Sequence, residues 1–113
     1  MNGTPDQSRR QPAAANSHPK ELDGARLLYF AEITEAVCHT GRTIHRVNGQ
    51  VLGPAGGLAI CQYEDSTQFY LFYCSADWAV LTDTCHESLD EARHQAEWEY
   101  EGISKYWTPA ARD

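Results

Sequence analysis

No apolar run in the 113 residues approaches the roughly 18–20 that a membrane-spanning helix requires, so a spanning protein is excluded. Basic residues are few: 9 Lys and Arg stand against 16 Asp and Glu, for a formal net charge of -7. They form no patch that could grip a phosphate backbone, which argues against nucleic-acid binding. The secretory pattern is missing too, because no apolar stretch follows Arg9 and Arg10. Cys38, Cys61, Cys74 and Cys85 show no C-x-x-C pairing. Thiols of that kind are usually small hydrophobes in a reducing compartment, so a cytoplasmic location is expected. The glycines of Gly53-Pro54-Ala55-Gly56-Gly57 match neither phosphate-loop order and precede a strand, so they read as a plain loop.

What is present divides in two. Residues 1–25 carry Pro5, Pro12, Pro19 and Ala13-Ala14-Ala15, and their three basic and three acidic side chains cancel. This composition predicts a disordered N-terminal tail. The whole charge of -7 then falls on residues 26–113, a length suited to one small domain with a single core.

Within that body, residues 26–37 are rich in aromatic and β-branched side chains and read as a first strand, followed by a turn at His39-Thr40-Gly41-Arg42. Asn48-Gly49 marks a two-residue hairpin inside 43–52. Leu58–Tyr63 and Gln68–Cys74 flank a second hairpin. With Asp65-Ser66 at its centre, Ile60 faces Leu71 and Leu58 faces Tyr73 on one side, and Cys61 faces Tyr70 and Ala59 faces Phe72 on the other. Phe69–Tyr73 is then apolar on both faces, as a central strand should be, and a further strand is expected over Trp78–Thr82. Ser88-Leu89-Asp90-Glu91 is a capping box opening a helix over about 89–101, stopped by Gly102. Its buried stripe is expected to be Leu89, Ala92, Ala96, Tyr100 and Ile103. The order predicts an α+β fold, with an antiparallel sheet of about four to five strands covered on one face by a single C-terminal helix.

Four of the five histidines (His39, His45, His86, His94) and the four cysteines invite a metal reading, but the cysteines are separated by 22, 12 and 10 intervening residues, and no zinc-ligand spacing occurs. A Cys-His enzyme needs a thiolate held beside a base, with Cys38 or Cys85 and His45 or His86 the available pairs, and no local signature marks either. The expectation is no enzyme, no metal and no cofactor. Charge is the stronger signal. Between Asp83 and Glu101 seven carboxylates stand against Arg93 alone. On a helical wheel Trp98 lies opposite the apolar stripe, beside Glu91, His94 and Glu101. A tryptophan in an acidic face is an arrangement suited to anchoring a partner, and the candidate binding residues are Glu91, His94, Glu97, Trp98 and Glu101.

The run Tyr70 to Cys74, Trp78, Thr82-Asp83-Thr84, His86, Ser88, Ala92, Gln95-Ala96-Glu97, Glu99-Tyr100, Gly102, Ser104 and Trp107 resembles a group of small bacterial proteins of no assigned function. The resemblance spans residues 70–107 and implies a shared hairpin–helix unit and a bacterial source; it brings no activity with it. The residues themselves point to a small acidic cytoplasmic binding protein, in concrete form an immunity protein or antitoxin that neutralises a basic partner. Two alternatives stay open: a homodimeric structural or housekeeping domain paired through its open sheet, and a thiol- or metal-dependent small enzyme.

Overall fold

The structure is a computed structural model in which residues 19–111 are described. Ten strands and one α-helix follow in chain order: β1 (Glu21–Leu22), β2 (Ala25–Glu32), β3 (Cys38–His39), β4 (Arg46–Val47), β5 (Gln50–Val51), β6 (Gly57–Gln62), β7 (Phe69–Cys74), β8 (Val80–His86), α1 (Leu89–Glu99), β9 (Tyr100–Glu101) and β10 (Thr108–Pro109). A 3₁₀ turn at Ile103–Lys105 separates the last two. The main sheet runs β1-β2-β6-β7-β8, antiparallel throughout, and β10 pairs with β2. The result is a small α+β fold with a curled antiparallel sheet.

The central hairpin has the register its side chains dictate: Leu58 opposite Tyr73, Ala59 opposite Phe72, Ile60 opposite Leu71 and Cys61 opposite Tyr70. Asn48 and Gly49 both take positive φ, at 53° and 80°, the twist a tight two-residue hairpin requires. Ser88 caps α1 by accepting the Glu91 N–H at 3.0 Å, while the Glu91 carboxylate reaches back to the Glu87 N–H.

Five boundaries differ from the sequence reading. The folded body begins upstream of residue 26, because Asp23-Gly24 turn at positive φ (54° and 81°) and pair Leu22 with Ala25. Residues 1–18 of the expected tail lie outside the described residues. The first strand stops at Glu32 rather than continuing to Val37. The expected turn after it gives up His39 to β3, which pairs with β9, and for that reason α1 ends at Glu99 rather than 101. The strand expected over 78–82 is displaced to Val80–His86. Trp78 has φ 69°, and the Ser75 hydroxyl holds the Ala79 N–H, so the turn extends through Ala79.

Buried side chains occupy both sides of the sheet. One cluster joins Leu58, Ile60, Leu71 and Tyr73 to Ala92, Ala96, Tyr100 and Ile103. The other gathers Leu22, Leu27, Cys61, Phe72 and Cys74 under the rings of Phe30, Tyr63, Tyr70 and Trp78. Trp78 lies over Gly57 so closely that a Cβ there would meet its indole at 2.7 Å.

Burial divides the thiols as well. Cys61 and Cys74 are buried, and desolvation pushes each from 9.0 up to about 12, whereas Cys38 and Cys85 are exposed. A disulfide-exchange reagent at neutral pH is therefore expected to titrate two thiols in the native protein and four after denaturation. The folded pKa lies above the unfolded one, so the neutral thiols stabilise the fold below about pH 9, and that contribution is lost as pH rises to about 12. Equilibrium unfolding between pH 8 and 11 measures it.

Candidate functional site

The carboxyl-terminal half of α1 is crossed by residues 40–47, a strap leading from β3 into the β4–β5 hairpin. Its side chains alternate in destination. Thr40 donates from its hydroxyl to the Trp98 carbonyl at 2.9 Å. Thr43 accepts from Gln95 Nε2 at 3.3 Å, and His45 Nε2 lies 2.8 Å from Glu99 Oε1. Between Thr43 and His45, Ile44 faces outward with 63% of its surface exposed.

Glu99 is the fixed point of this arrangement. It is 1% exposed, and among the described residues it is the one buried charged side chain. A buried carboxylate is tolerated only when donors surround it. Here Tyr73 donates its phenolic hydrogen to Oε2, Gln95 Nε2 donates to the same oxygen at 2.7 Å, and His45 donates to Oε1. Burial and then the bond to Glu99 hold the Tyr73 hydroxyl far above the usual phenol range, so it stays a donor. The far nitrogen of His45 meets the Thr82 hydroxyl at 2.9 Å. Thr84 lies 3.5 Å from the Tyr73 oxygen and 2.7 Å from His86 Nε2. Desolvation lowers the His86 pKa against the opposing pull of Glu91 and Glu99.

Thr82, His45 and Glu99 have the order of a hydroxyl nucleophile, a base and an orienting carboxylate. A reaction also needs room for a substrate. The hollow on the helix face and a second one between β1, β2 and β10 are lined by neither Thr82 nor His45. The same contacts fasten the strap to the helix and the sheet. Among the described residues no group of three or more His, Cys, Asp or Glu is placed to hold a metal ion.

Four of the five sequence-predicted binding residues meet at one place. His94, Glu97, Trp98 and Glu101, with Arg42 from the strap, line a shallow hollow of about 370 Å³. Trp98 is 51% exposed. Arg42 stacks over its ring at 4.5 Å and reaches the Glu101 carboxylate at 3.3 Å. Glu97 is partly committed internally, accepting the Gly102 and Ser104 N–H groups at 2.8 and 3.1 Å. Burial alone would raise its pKa, but these bonds and the charge of Lys105 outweigh it, and the net shift is downward. Glu91 stands apart at the start of the helix, engaged with the Glu87 amide. Sequence reasoning counted Glu99 in the acidic run and passed over His45 and Tyr73 as partners. A signal was available: Ala92, Ala96, Glu99 and Ile103 recur at i, i+4, i+7 and i+11, which puts Glu99 on the buried stripe.

Comparison with protein-family models, with curated proteins and with solved structures gave no match for this chain.

Proposed function

We propose that the protein is a small acidic, non-enzymatic binding protein that docks a basic protein partner through the carboxyl-terminal half of α1, with Trp98 as the anchor. Neutralising a cationic toxin, as an immunity protein or antitoxin does, is the concrete form of this reading. The observation that carries it is Trp98 itself, half exposed on a helix whose opposite side is buried, and ringed by His94, Glu97 and Glu101. Tryptophan is enriched among binding hot spots, and surrounding carboxylates favour a cationic partner in both encounter and selectivity. Four free cysteines fit a cytoplasmic setting. In this reading α1 covers one sheet face, and the other is closed by the rings around Phe72 and Cys74.

The test is affinity capture from the source cells with wild type and with a Trp98→Ala, Glu101→Lys variant, followed by mass spectrometry. A basic protein retained by wild type and lost by the variant supports the proposal. Identical captures by both sink it.

A further inference from the structure

The geometry points to a guanidinium-binding site on the helix face, which Arg42 fills from within the chain and an arginine of the basic partner takes over on docking. This rests on the reading above and specifies the group that the partner presents.

The site already holds its ligand in outline. A planar cation stacks on the Trp98 ring at 4.5 Å, one of its nitrogens meets Glu101 Oε2 at 3.3 Å, and another donates to the Trp98 carbonyl at 3.3 Å. A flat π surface, a carboxylate at its rim and an in-line carbonyl match the fork of a guanidinium better than the point charge of an ammonium. Arg42 is a weakly held occupant. Its side chain and that of Glu101 are 42% and 51% exposed, and ion pairs at such exposure contribute little. The strap does not depend on it, because Thr40, Thr43 and His45 fasten the backbone on either side. Displacing Arg42 therefore exposes the Trp98 ring without releasing the strap.

The experiment titrates tetra-arginine and tetra-lysine peptides into the full chain, following the Trp98 indole N–H by NMR and the heat by calorimetry. Arg42→Ala is expected to bind tetra-arginine roughly five- to tenfold more tightly than wild type, the scale of one freed cation–π site. Arg46→Ala is the charge control: it removes the same charge from an exposed residue of the strap that does not line the hollow, and a change of less than about twofold is expected. The gain should disappear in Arg42→Ala, Trp98→Ala, and tetra-lysine should gain less than tetra-arginine. Arg42→Gln, which keeps the length and loses the charge, guards against a folding effect, and unchanged melting of each variant is checked alongside. If Arg42→Ala binds no better than Arg46→Ala, or the gain survives loss of Trp98, the internal-occupant idea is overturned. Continued sensitivity of peptide binding to Glu101→Lys would in that case leave the acidic-face reading intact. No binding by wild type or by Arg42→Ala overturns both.

Discussion

Replacing Glu99 with alanine is expected to lower the unfolding free energy by about 3–5 kcal/mol, since it leaves three donors without their acceptor, at about 1–3 kcal/mol for each that is buried. The size follows from what is left behind. Tyr73, Gln95 and His45 each point a hydrogen at the vacated position, and all three are wholly or partly sealed from water. Unsatisfied buried donors lose their full solvation, whereas a well-made bond contributes only about 0.5–1.5 kcal/mol net. Glu99→Gln keeps an acceptor for Tyr73 and Gln95 and should cost markedly less. In a domain of this size each kcal/mol corresponds to about 4–8 °C in melting temperature, so urea and thermal unfolding both resolve the difference. A double-mutant cycle with His45→Ala should show strong coupling, since the two side chains share one bond. Loss of less than about 1 kcal/mol in Glu99→Ala would mean that the network is not a fastening.

The second large effect is on binding. Trp98→Ala is expected to weaken the proposed complex with a basic partner by about 2 kcal/mol or more, roughly thirtyfold, as truncation of a central tryptophan does. Adding Glu101→Lys acts chiefly through encounter, so it should slow association and flatten its dependence on salt. Leu81→Ala, on the exposed side of β8, serves as the control for a surface apolar residue outside the hollow. Surface kinetics at two ionic strengths separates the two contributions: Trp98 should appear mainly in the dissociation rate and Glu101 mainly in the association rate.

The parts of the fold that were legible in the sequence are those specified locally. The β6–β7 register follows from a four-residue polar turn between two apolar runs, and the start of α1 from a serine three residues before a glutamate. Asp23-Gly24 carries a hairpin signal of equal strength but lies beside a proline-rich stretch, whose composition pointed to a tail. The true extent of β8 was hidden for a different reason. Its inward-facing residues are Thr82, Thr84 and His86, so the alternation reads as two polar faces, although one of them lies against the Glu99 network. The same inversion concealed Glu99: in a run of carboxylates nothing local separates the one that is buried, and only its place on the apolar stripe does so. Trp98 and its neighbours were legible because helical spacing alone sets them together, while Arg42 comes from 56 residues away along the chain and no local pattern could supply it.

The most direct test of a docking surface centred on Trp98 is oxidative footprinting of the full chain, free and bound to its captured basic partner. The account predicts that Trp98 is modified readily in the free protein and protected in the complex, while the modification of Leu81 is unchanged. Trp98 equally modified in both states, or protection moved to the open edge of β8, would contradict it.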